Sequence, residues 1–224
     1  MMISIQDLPT TEISIGSKKY PKQLLDLEDP PEMLHVRGHF NINIFENTLA
    51  IVGSRDMTPY GARVTDWLVK RLVPHGISTI SGFMYGVDTR VHTTTLAVGG
   101  TTIAVLAHGL NHLYPTENKK LYTDIIQSKG CLISEYPNEF KPEAWTFPKR
   151  NRIVAALAGL GTVIVEAQEQ SGSLITAQYA DALNRPLFAI PGPVSSITSR
   201  GTNRLIKDRI AEMVLSPEEV LRVG

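Results

Sequence analysis

The chain has one cysteine, Cys131, in 224 residues, so an internal disulfide is excluded and a reducing compartment is the expected setting. It has no excess of either charge, with 22 Lys and Arg against 22 Asp and Glu. That balance excludes a uniformly basic coat but leaves room for a local basic groove. No apolar run is long enough to cross a bilayer. The opening MMISIQDLPTTEISIG lacks the basic start and apolar centre of a secretion signal, so a cytoplasmic protein is expected. Aromatic residues are scarce at 7%, and most are therefore assigned to the core.

The standard catalytic signatures are missing too. There is no phosphate loop of the G-x-x-x-x-G-K-[ST] type, no H-E-x-x-H, no cysteine pair and no G-x-S-x-G elbow. HGLNH, residues 108–112, brings two histidines close together, but no further metal ligand is near in sequence. Cys131 opens an apolar strand and reads as a core residue. No catalytic residue, metal or cofactor is called for.

What the sequence does contain is a regular alternation. Strand-like runs at 48–52, 77–81, 101–107, 131–135, 162–167 and 186–192 are short, mostly apolar and free of charge except at their ends. Helical stretches separate them near 58–76, 88–98, 117–128, 149–159, 173–183 and 202–210. Strands without polar alternation are buried on both faces, which points to a mostly parallel, doubly wound, Rossmann-like α/β sheet with helices on both faces. Residues 1–47 read as an N-terminal extension packed on that core, and 48–224 as the core domain. Ser216 with Glu219 has the capping-box spacing for a final helix.

In such a sheet, ligands sit at the carboxyl ends of the strands. The first main strand ends in Gly53, Ser54 and Arg55, where a small-residue turn can approach an anion and Arg can clamp it. The second ends in Ser81 and Gly82, followed by Asp88 and His92, which read as a helix cap and a structural histidine. The fifth leads into Ser171, Gly172 and Ser173 at a helix start, which suits phosphate. Beyond the sixth, Asn203 and Arg204 open another helix and offer a base-edge and a phosphate contact. FPKRNRIVAALAG, residues 147–159, gathers Lys149, Arg150, Asn151 and Arg152 beside Phe147. Phe147 is the first candidate for stacking a base; Tyr60, Phe83 and Tyr85 also lie in or beside these loops.

The pieces IVGSR, SGFMYGVDTRVH, TIAVLAHGLNHLYP, LISEYP, FPKRNRIVAAL, VIVEAQEQSGSLITA, FAIPG and GTNRLI, in this order, resemble the DNA processing protein A (DprA/Smf) family. The resemblance covers roughly residues 20–210. It implies a non-enzymatic, single-stranded-DNA-binding protein that works as a dimer, protects single strands in natural transformation and helps load a RecA-type recombinase. It also implies a DNA groove lined by Gly53, Ser54, Arg55, Ser81, Gly82, Lys149, Arg150, Asn151, Arg152, Ser171, Gly172 and Ser173. A competing reading is a nucleotide or phosphoribosyl hydrolase on a related fold, with Glu166 as its acid.

Overall fold

The computed structural model describes residues 5–221. Its centre is one nine-stranded sheet in the order β1-β2-β6-β5-β4-β3-β7-β8-β9. The strands are β1 (Thr11–Ser14), β2 (Met33–Gly38), β3 (Thr48–Val52), β4 (Ser78–Ser81), β5 (Thr102–Val105), β6 (Cys131–Ser134), β7 (Gly161–Ile164), β8 (Leu187–Ala189) and β9 (Glu212–Met213). The helices are α1 (Pro59–Leu72), α2 (Val87–Ala97), α3 (Lys119–Gln127), α4 (Thr146–Ala156), α5 (Gly172–Ala182) and α6 (Arg200–Lys207).

From β3 to β9 every strand pairing is parallel. Each residue of β3 is buried, as a strand covered on both faces requires. Leu49 and Ile51 point to the layer of α1 and α2, where they meet Leu68, Val69, Leu72, Val87 and Val91. Ala50 and Val52 point to the layer of α4 and α5, against Ile153, Val154, Ala177 and Ala180. A third cluster places α3, through Leu121, Tyr122 and Ile125, over Ala104 and Leu132. Each fully buried Leu, Ile or Val contributes roughly 1.5–3 kcal/mol of transfer free energy, so these two layers dominate the stability of the domain.

The expected helix ends follow local chemistry. Thr58 caps α1 by accepting from the Gly61 N–H at 3.2 Å, and Pro59 occupies the first helical position. Pro74 turns the helix into a short 3-10 segment, which ends at Gly76 with φ +82°. Helix α4 starts at Thr146, three residues before the position read from sequence. The final helix is a 3-10 turn over Pro217–Leu221, with the Glu219 carboxylate accepting from Ser216 N–H.

The N-terminal residues do more than pack against the sheet. Strand β2 pairs antiparallel with β6, and β1 pairs antiparallel with β2, so they extend the sheet itself. Arg37 of β2 is buried and holds this edge together. Its guanidinium donates to Thr10 Oγ1, Ile5 O, Leu110 O, Tyr122 OH and Asn111 Oδ1.

The chain runs from β3 through β4 and β5 to β6 in one direction, then returns across the sheet to β7 beside β3. That reversal leaves a crevice above the carboxyl ends of β3 and β7, the usual ligand position in open α/β sheets.

Candidate nucleic-acid interface

A groove of about 520 Å3 opens at that reversal. Gly53, Ser54 and Arg55 follow β3, and Gly82 follows β4. Phe147, Arg150, Asn151 and Val154 of α4 form one wall. These four fall at i, i+3, i+4 and i+7, one face of a helix. Gln168, Gln170, Ser171, Gly172, Ser173 and Thr176 contribute the start of α5.

The start of α5 is built to take an anion. Ser171 caps it by accepting from the Ser173 N–H at 3.3 Å, and the two hydroxyls lie 2.8 Å apart. Asn151 donates to Gly172 O at 3.0 Å and so ties the α4 wall to this helix end. Backbone N–H groups and the helix dipole there favour negative charge.

Two cations serve the groove differently. Arg55 is exposed, with its guanidinium 5.7 Å from the centre of the Phe147 ring. Among the described residues it has neither an ion-pair nor a hydrogen-bond partner, so its donors are available to a ligand. Arg150 is buried beneath the groove, where it donates to Gly82 O, Val105 O and Asn151 Oδ1. Burial pulls its pKa down to about 10, with nearby Asp88 opposing the shift, so it stays charged at neutral pH. Burial pushes the Asp88 carboxyl up, against the pull of Arg150. Asp88 accepts from Ser81 Oγ at 2.9 Å and Met84 N at 3.2 Å. A Cβ at Gly82 would lie 2.6 Å from both Arg150 Nη2 and Asp88 Oδ2, so only glycine fits between them.

Several residues singled out in the sequence lie elsewhere. Lys149 and Arg152, three apart on another face of α4, do not line the groove. Arg152 is buried and makes a bidentate pair with Glu135 at 2.9 and 2.7 Å, while Lys149 pairs with Asp29 at 3.1 Å. Lys149 in turn holds the Asp29 carboxyl below its usual range. Ser81 is fully buried and donates to Ile51 O at 2.8 Å as well as to Asp88. Asp88 is not the cap of α2; Gly86 holds that position with φ +71°, and Asp88 sits inside the first turn. His92 meets Thr102 Oγ1 at 2.7 Å rather than Asp88, and burial lowers its pKa to about 3, leaving it neutral.

Glu166 is buried but pairs with no arginine. It accepts from Thr58 N at 2.9 Å and from Thr58 Oγ1, which fixes the start of α1 outside the groove. Asn203 bonds both backbone groups of Gly192 and Arg204 pairs with Asp208, so neither reaches the groove. Phe83 is a core ring against His92 and Tyr122, and Tyr60 donates to Pro191 O at 2.6 Å. Burial pushes the Cys131 thiol up to about 12, as an inert core thiol requires. Among the described residues, no group of three His, Cys, Asp or Glu side chains is placed to hold a metal. Nor is any described helix long and apolar enough to cross a membrane.

Gln168 and Gln170 were missed in the sequence. Their signal was position, since both follow β7 within the segment that leads into α5.

The family model "DNA recombination-mediator protein A" matches residues 11–223. The Smf protein of Escherichia coli is 40% identical over 210 residues, a match covering 93% of this chain and 55% of that protein. The crystal structure of DNA processing protein A from Streptococcus pneumoniae superposes with a TM-score of 0.87 at 35% identity, covering 98% of this chain and 75% of that one. DNA processing protein A from Helicobacter pylori, whose structure is described for its single-stranded DNA binding mode, gives a TM-score of 0.84 at 29% identity, covering 97% and 95%. The chain thus spans about half the length of the Escherichia coli relative.

Proposed function

This chain belongs to the DNA recombination-mediator protein A family, and from that premise we propose that its groove binds single-stranded DNA without chemical turnover. The observation that carries the reading is one cavity that joins an unpaired exposed cation, Arg55, an aromatic face, Phe147, and the N-terminus of α5. Single strands are held by that combination. Cations and N–H donors take phosphates, and a ring takes the face of an unpaired base. Duplex bases are already stacked and paired, so Phe147 offers them little.

The hydrolase reading loses its acid, because the Glu166 carboxylate is engaged with Thr58 away from the groove. Lys149 and Arg152, engaged by Asp29 and Glu135, are second to Arg55 as phosphate contacts in this proposal.

Titration of a labelled oligothymidine against a duplex of equal length tests the reading. Tighter binding of the single strand is expected; equal affinity, or none for either, overturns it. Family membership also supports delivery of the bound strand to a RecA-type recombinase by a homodimer in the cytoplasm. Recombinase filaments should then nucleate faster on coated strands with the protein than without it. An unchanged rate sinks that part alone.

A further inference from the structure

Among the described residues the Arg55 guanidinium is steadied by the Phe147 ring and by no hydrogen bond. Its place in the groove therefore depends on its backbone. That backbone lies in the turn between β3 and α1. Two bonds shape the turn from within and from β7: Ser54 Oγ accepts from Asp56 N at 3.1 Å, and Thr58 N donates to Glu166 Oε2 at 2.9 Å. A third comes from a different layer. The start of α2 lies against the turn, where Val87 N donates to Ser54 O at 3.1 Å.

The approach is this close because Gly86 has no side chain. A Cβ there would lie 2.2 Å from Ser54 O and 2.5 Å from Arg55 O, and the φ of +71° disfavours one as well. Helix α2 has no side-chain cap. Its first N–H, which has no partner within the helix, is satisfied by the Arg55 turn instead. The segment leading to Gly86 is itself held in an unusual form. Phe83 has φ +70°, a conformation uncommon outside glycine. Its ring is buried against His92 and Tyr122. Beside it, Met84 N donates to Asp88 Oδ2 at 3.2 Å, and Thr89 donates to Met84 O from N at 3.1 Å and Oγ1 at 2.6 Å. A costly backbone conformation persists only where its surroundings over-determine it, as these do.

We propose that Gly86 and the Val87 N–H position Arg55 for strand binding, by clamping the backbone of its turn onto the start of α2. This rests on the reading that the groove holds single-stranded DNA. Both are positioning residues, and neither touches the strand. A cation whose backbone is already fixed has less freedom to lose when it meets a phosphate, and that saving appears as affinity. Without the clamp the turn keeps its arginine, but spreads it over positions that miss the phosphate.

Val87→Pro tests this with little change elsewhere. Proline lacks the N–H, suits the first position of a helix and keeps an apolar ring where the valine is buried. Near physiological salt it should weaken oligothymidine binding roughly fourfold and make the salt plot shallower by about 0.7, as the loss of one single-strand phosphate contact would. In an Arg55→Ala background it should add nothing, because the cation that it positions is already gone. Gly86→Ala, whose Cβ pushes on the turn directly, should give the same pattern. Parent affinity and parent slope in Val87→Pro overturn the inference and spare the groove. An equal loss with and without Arg55 also overturns it, since the contact then acts independently of that cation. Failure of both variants to fold makes the clamp a part of the fold alone and overturns it as well. If the parent chain binds no oligothymidine, this inference and the groove reading fall together.

Discussion

Arg150→Met should melt roughly 10 °C below the parent chain. The change removes a buried guanidinium that bonds Gly82 O and Val105 O and sits beside the buried Asp88. Two carbonyls lose a charged donor, and Asp88 loses the cation that offsets its burial. The combined cost is about 3 kcal/mol, since a buried acceptor stripped of its donor costs about 1–3 kcal/mol and the Asp88 carboxyl nearby is left desolvated without an opposing charge. The pair can be separated from simple packing loss. Asp88→Asn in the Arg150→Met background should recover part of the stability, since it removes the stranded charge. Strictly additive losses in that double-mutant cycle would show that the two groups do not interact. The groove should suffer with the fold, because Arg150 is what joins the β4 and β5 ends to α4.

Arg37→Met should cost roughly 3 kcal/mol in urea unfolding, since a hydrogen bond from a charged donor contributes about 1.5–3 kcal/mol and a buried acceptor stripped of its donor costs about 1–3 kcal/mol. Among the described residues the Arg37 guanidinium has no carboxylate partner; five oxygen acceptors from three separate segments satisfy it instead. Leu110 O keeps a bond from Tyr122 OH at 2.7 Å, Thr10 Oγ1 one from Asn138 Nδ2 at 3.1 Å and Ile5 O one from Leu8 N at 3.3 Å, so the acceptor left bare is Asn111 Oδ1. The Arg37 contacts pin both the first N-terminal strands and the 108–112 loop, which leads to Tyr114 and its contact with Phe147. Binding of single strands should therefore weaken as well, though the groove has not been touched. Stability within about 1 kcal/mol of the parent would mean that water replaces the guanidinium at this edge.

The parallel core was legible because its strands are buried on both faces. An unbroken apolar run such as TLAIV has few other readings between two turn signals. Strand β1 was not legible. It has four residues, TEIS, of which only Ile13 is buried, and its place depends on β2 pairing with β6 nearly a hundred residues later. The groove was legible in outline, since Gly53, Ser54 and Arg55 and Ser171, Gly172 and Ser173 directly follow strands that the sheet must align.

The division of labour among the α4 cations was not legible as a cluster. It becomes so through helical phase. Phe147, Arg150, Asn151 and Val154 share the groove face, while Lys149 and Arg152 share the face that meets Asp29 and Glu135. The partners Asp29 and Glu135 lie far off in sequence and could not be assigned from it. Glu166 shows the same limit. A carboxylate just after a strand reads as an acid for chemistry until the fold brings the start of α1 onto it.

If Arg55 takes a phosphate of a single strand in this groove, the salt dependence of binding must change when it is removed. Oligothymidine affinity should be measured from low to high salt for the parent and for Arg55→Ala, an exposed site whose change should leave the melting temperature unaltered. Arg55→Ala should bind more weakly, with a plot of log affinity against log salt that is shallower by about 0.7, the loss of one single-strand phosphate contact. Equal affinity and equal slope in the two proteins would contradict it.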